Sequence, residues 1–221
     1  MPKGALLHAH MDAMFDIEWL VDENMKEKGI HILAEAPLTV QRRGDVIDRL
    51  TPPTFKLQYY GEAELEKIDI KGMNIWKSNY VPNTPIPLRE AQRTFPDDDM
   101  TFKKWMVSRC RLDPEETLLH HHGLNAIWRK FQSTFPVISE LLFYEPIFRR
   151  GMQKMLAELA KDGITYVDMR MAFLFQFFST GQSKPEKGYT KFFQVWGEEI
   201  DKFKKTDLGK NFKGCRMIWT I

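Results

Sequence analysis

Cysteine is scarce in this chain. Two in 221 residues, Cys110 and Cys215, stand far apart and match neither zinc nor redox spacing. They could close at most one disulfide, which no spacing supports, so two idle thiols are expected. Long apolar runs are missing as well. Nothing approaches the roughly 20 residues a membrane-spanning helix needs, and no membrane partner is expected. Charge of one sign is not in excess: 32 basic and 30 acidic residues leave a formal net charge of +2, so no global field favours nucleic acid. Internal repeats and low-complexity tracts are absent. No secretory leader precedes the first apolar run, which points to a cytoplasmic protein as the chain stands; secretion stays open if Met1 is internal to a longer precursor. What the chain does hold is 43% hydrophobic and 13% aromatic residues, enough for one substantial core.

The first dozen residues carry the most chemistry. Ala5-Leu6-Leu7 leads into His8-Ala9-His10, and Asp12 follows two positions on. On a strand, side chains alternate, so His8 and His10 project to one side, where two neutral imidazoles can share one transition-metal ion. The same spacing suits two solvated histidines near a terminus, and His-x-His alone is a weak signal. Phe15, Trp19, Leu20 and Met25 then predict an amphipathic helix ending at Gly29, with Lys26 and Lys28 where cations suit the helix dipole. From His31 to about Asp99, seven prolines and scattered apolar patches such as Phe55-Lys56-Leu57 predict loops and short strands or turns.

Asp97-Asp98-Asp99 is expected to open a helix that carries Phe102, Trp105, Met106 and Arg109 on one face. Asp113-Pro114-Glu115-Glu116 is a second start signal. His120-His121-His122 diverge in direction as neighbours, so a solvated cluster is expected there rather than a metal site. Asn125 is expected to cap a helix bearing Trp128, Phe131 and Phe135, perturbed at Pro136, and the default place for Trp128 is the core. Pro146 opens a helix whose Phe148, Met152, Met155, Leu156 and Leu159 share a face and which Gly163 closes. Ile164 to Arg170 predicts a strand with Asp168 and Arg170 on one side, expected to pair with each other or to form a structural salt bridge rather than to do chemistry. After a loop from Gln182 to Gly188, the residues Tyr189, Phe192, Phe193, Trp196, Ile200 and Phe203 give the cleanest helical period, ended by Lys202, Lys204 and Lys205. Gly214 to Ile221 predicts a third strand. Strands alternating with helices indicate an α/β fold with a parallel sheet.

The opening stretch, together with Ile127-Trp128-Arg129-Lys130-Phe131, Tyr144-Glu145-Pro146-Ile147-Phe148-Arg149 and Ile164-Thr165-Tyr166-Val167-Asp168-Met169-Arg170, resembles the N-terminal half of the adenosine deaminase family, in particular its adenosine deaminase-related growth factor branch. The resemblance implies a partial (β/α)8 TIM barrel, its first three strands, in a single incomplete domain over residues 1–221, with 31–125 inserted between the first and second barrel strands. It implies one zinc ion held by His8 and His10, with Asp12 orienting the ribose of a purine nucleoside and Trp128 walling the pocket. The implied chemistry is hydrolytic deamination of adenosine to inosine and ammonia, in which zinc activates water and a carboxylate shuttles the proton.

That chemistry needs at least three protein ligands and a proton-shuttling glutamate. The family's His-Ala-Gly-Glu-type motif, its further histidine and its aspartate pair do not occur in these 221 residues. The chain alone is therefore expected to bind metal weakly and to be inactive. Two other readings stand beside this one. A non-catalytic, growth-factor-like binding protein would use the inserted region for a partner or a homodimer interface. A related metal-dependent amidohydrolase would act on another amine or amide.

Overall fold

The computed structural model describes residues 3–38, 55–67, 70–112 and 123–220. The Asp113–Glu116 start signal and the His120–His122 cluster lie outside the described residues. In chain order the elements are β1 (Gly4–His10), a 3-10 turn (Met11–Ala13), α1 (Ile17–Lys26), β2 (Ile30–Ala34), β3 (Phe55–Tyr59) and α2 (Glu62–Leu65). They continue with β4 (Ile86–Pro87), α3 (Leu88–Arg93), α4 (Phe102–Arg109), α5 (Leu124–Leu142), α6 (Glu145–Lys161), β5 (Ile164–Met171), α7 (Thr190–Lys204) and β6 (Gly214–Trp219). The result is a mixed α/β fold, with one parallel and one antiparallel sheet and no closed barrel among the described residues.

Two compact units divide the chain. The first joins Met1–Asp16 to Leu142–Ile221. Its sheet has the order β1-β5-β6, every pair parallel. Pro146 sits in the first turn of α6, where a missing N–H costs nothing, and Gly163 at φ +79° turns the chain from α6 into β5. Phe148, Met152, Met155, Leu156 and Leu159 are all buried, as the 3.6-residue period requires. On α7 the same logic buries Phe192, Trp196, Ile200 and Phe203, while Phe193 faces out. Val167 and Met169 of β5 are fully buried on one side of the sheet, which leaves Asp168 and Arg170 to the other.

Arg149 of α6 ties this unit together electrostatically. Its guanidinium donates to Glu145 Oε1 at 2.8 and 2.9 Å, to Glu199 Oε1 at 2.8 Å and to Glu198 Oε2 at 2.7 Å. Glu145 and Glu199 are buried, so the fork satisfies carboxylates that water does not reach.

The second unit spans Ile17–Leu141. Its sheet, β3-β2-β4, is antiparallel. All five residues of β2 are buried, so its sequence Ile-His-Ile-Leu-Ala shows no alternation. Tyr59 packs over Gly29 so closely that a Cβ there would overlap the Tyr59 ring. Trp76, Phe95, Phe102 and Trp105 form an aromatic cluster, with centroids 5.0 Å apart for Trp76–Trp105 and 5.1 Å for Trp76–Phe95. Thr101, not the aspartates before it, caps α4, its hydroxyl accepting from the Lys104 N–H at 3.2 Å. Asp97 instead holds the preceding turn through the Asp99 and Met100 N–H groups. Asn125 is already inside α5, whose start is set by Gly123 at φ +87° and its carbonyl's bond to the Ala126 N–H.

Candidate metal and nucleoside site

At its histidine end β1 alternates as the sequence requires, whereas Leu7 before it is exposed and the register with β5 shifts between Leu6 and Ala9. Ala9 is buried on one side, while His8 and His10 lie on the other and are exposed. Pairing of β1 with β5, Ala9 against Met169 and His10 against Arg170, holds the strand in this rotation. The two Nε2 atoms come within 3.2 Å, and the ring centroids are 5.2 Å apart with planes tilted by 40°. A tetrahedral zinc with bonds of about 2.05 Å would hold two nitrogens roughly 3.3 Å apart, so the pair fits a shared ion. Without one, the contact requires one ring to donate its proton to the other. Among the described residues no third histidine, cysteine or carboxylate joins them in a metal-sized group.

Asp12 lies in the 3-10 turn that follows β1 and is half-buried. It does not cap the next helix, which starts at Ile17. Nothing among the described residues hydrogen-bonds to its carboxylate.

Asp168 and Arg170 share a face but do not pair through hydrogen bonds. Asp168 takes Arg216 across the β5–β6 register, with Nε–Oδ1 at 3.1 Å and Nη2–Oδ2 at 2.9 Å, and accepts from the Tyr166 hydroxyl at 2.8 Å. The Arg216 guanidinium holds the Asp168 carboxyl below its usual range. Register decides this outcome: Arg216 stands opposite Asp168, whereas Arg170 is two residues along the same strand. Arg170, in register with His10, keeps a buried Nε with no hydrogen-bond partner. Tyr166 and Arg216 were not singled out in the sequence. Their signal, the same-side spacing in Tyr166-Val167-Asp168, needed the strand pairing to become readable.

Trp128 lies on α5 in the second unit and is 57% exposed, so the core is not its place. Its ring is 5.4 Å from Phe131, which meets Phe135 edge-on at 5.0 Å. Leu124, Trp128, Phe131 and Phe135 make an outward stripe, and Ala126, Val137, Ile138 and Leu141 fill the buried side. Spacing put the aromatics on one face of the helix, but a second apolar stripe took the interior.

Comparison with known proteins finds relatives that this chain matches over part of their length. No family model matches the chain. It is 24% identical over its whole length to adenosine deaminase 2-A of Danio rerio and 26% identical to adenosine deaminase 2 of Homo sapiens, in each case spanning 37% of the relative. Adenosine deaminase of Phlebotomus duboscqi is 22% identical over 96% of this chain and 35% of its own length. No helix among the described residues is long and apolar enough to cross a membrane. From end to end, then, the chain is homologous to a segment, little more than a third, of the adenosine deaminase 2 proteins.

Proposed function

We propose that this chain carries the metal-holding strand and part of the substrate wall of a zinc-dependent hydrolase that converts adenosine to inosine and ammonia. The 3.2 Å between the Nε2 atoms of His8 and His10 is the observation that supports it best. Those two imidazoles would hold Zn²⁺, and the bound ion would supply Lewis-acid activation of water. Ala9, buried on the opposite side, keeps the strand from rolling, so both rings stay on the same side. Asp168, tied by three donated hydrogen bonds, stays ionised and is a poor proton acceptor, which removes it as the proton shuttle. Asp12, in the turn beyond the ligands, would orient the ribose, and the resemblance carries Trp128 over as a residue of the substrate-pocket wall. In this reading the three parallel strands are the first three of a (β/α)8 barrel, residues 1–221 form one incomplete domain, and 31–125 is the insertion.

Calorimetric titration of the chain with Zn²⁺ tests the assignment. One weak site is expected, lost in the His8→Ala/His10→Ala double variant and retained in His31→Ala. Zinc binding untouched by the double variant would reject it. Saturation-transfer NMR with adenosine, 2′-deoxyadenosine and adenine then tests the substrate class, and adenosine contact is expected to weaken in Trp128→Ala.

A further inference from the structure

The charge of the parallel-sheet unit is gathered where its strands begin. Between Lys202 and Lys213 stand five lysines and one acid, Asp207, a net +4 in twelve residues of a chain whose total is +2. All five lysines are exposed. Lys202 reaches Glu199 at 3.8 Å, and Lys204, Lys205, Lys210 and Lys213 have no acidic partner among the described residues. Lys213 is joined on this rim by one further lysine, Lys3, whose ammonium pairs with Asp162 at 3.4 Å, so Lys3 marks the far end of the rim without adding free charge. Lys213 N–H bonds the Thr165 carbonyl at 2.6 Å and Lys3 N–H bonds that of Gly163 at 3.0 Å, which places both lysines at adjoining strand starts. With about 4.8 Å between strands, the rim from β1 to β6 is about 10 Å wide.

The turn that displays these lysines is firmly built. The Thr206 hydroxyl donates to the Phe203 carbonyl at 2.7 Å and accepts from the Gly209 N–H at 3.1 Å, and the Phe212 N–H bonds Gly209 O at 2.9 Å. Phe203 and Phe212 meet edge-on at 5.6 Å, both buried. Gly209 lies so close to Phe203 that a Cβ would overlap its carbonyl. With the two phenylalanines filling the interior, Leu208 is left 40% exposed at the tip, flanked by Lys204, Lys205 and Lys210.

We propose that this rim is a docking surface for an acidic phospholipid bilayer, with the lysines on the headgroups and Leu208 entering the headgroup–acyl boundary. Lysines are compact point charges without the fork that reads phosphate geometry, and the aromatics of the turn are buried, so no ring is offered to a stacked base. An apolar side chain amid the charges adds nothing to the binding of a soluble polyanion. It does add to binding at a lipid interface.

Co-sedimentation of the full chain with phosphatidylcholine vesicles, with and without phosphatidylserine, is the test. Binding is expected only to the acidic vesicles and should vanish at high salt. Lys204→Ala/Lys205→Ala/Lys210→Ala should lower partitioning about a hundredfold, at about fivefold per lysine. The corresponding lysine-to-arginine triple variant should restore it. Leu208→Ser, with every charge intact, should cost about tenfold. All four positions are exposed, and unchanged far-UV circular dichroism confirms folding. Failure to bind acidic vesicles would overturn the proposal. So would Leu208→Ser binding like the parent while heparin or duplex DNA binds the lysine set, an outcome that makes the rim a polyanion site.

Discussion

Replacing Glu140 with glutamine should flatten the pH dependence of stability in the second unit. Glu140, on α5, accepts the Leu57 N–H at 2.8 Å through Oε2, on the outer edge of β3. Burial pushes its carboxyl up to about 7, against the pull of the Leu57 N–H and of Lys56. The folded state thus holds a proton that the unfolded chain releases near 4.5. Its contribution is complete below that point and is lost as pH rises through about 7. A gap of roughly 2.5 pH units at about 1.36 kcal/mol each makes this about 3 kcal/mol. Burial moves His31 the other way, downward, so its contribution grows with pH up to about 6.5 and opposes the Glu140 trend. Subtracting the Glu140→Gln profile from the parent's cancels His31 and isolates Glu140. Glutamine keeps an oxygen for Leu57, so the hydrogen bond survives. Urea unfolding at about pH 5 and about pH 8 is the assay; about 2.5 kcal/mol of the contribution falls in that window, so with a slope of about 2 kcal/mol/M the parent should lose about 1.2 M more in midpoint than the variant. Parallel profiles would refute a protonated Glu140 at neutral pH.

Three further outcomes are expected. Arg149→Met should cost about 3 kcal/mol in urea unfolding, because Glu145 and Glu199 would be left buried beside no guanidinium. Burial raises the Glu145 carboxyl, but Arg149, Thr180 N–H and Lys191 more than reverse this, so its stabilisation is present above the normal carboxylate range and fades in acid; the loss in Arg149→Met should shrink there too. Cys110 and Cys215, both pushed up to about 12 chiefly by burial, should resist thiol reagents at neutral pH in the folded chain and react at once in denaturant. Gly29→Ala should lower the thermal midpoint by an amount equivalent to about 1–3 kcal/mol, and pairing it with Tyr59→Ala should recover part of that.

Periodicity carried the sequence reading wherever one face of an element is buried and the other is not. That holds for α6, α7, β5 and the histidine end of β1, and there the expected elements and the shared side of His8 and His10 are present. It failed on β2, whose five buried residues erase the alternation that marks a strand, amid prolines that signal turns. It could not choose between two apolar stripes on α5, so Trp128 was assigned by default to an interior that Val137, Ile138 and Leu141 occupy. Nor could it reveal that Asp168 pairs with Arg216, 48 positions away, since strand register is a tertiary property.

The missing side chain at Gly29 has a consequence for how this chain can vary. Because an aromatic ring occupies the space a methyl group would need, a side chain at position 29 obliges the Tyr59 ring to shift, so substitutions at 29 and 59 are expected to be non-additive. A chain that keeps tyrosine at the end of β3 gains from glycine before β2, and one that trims the ring makes room there for a methyl group.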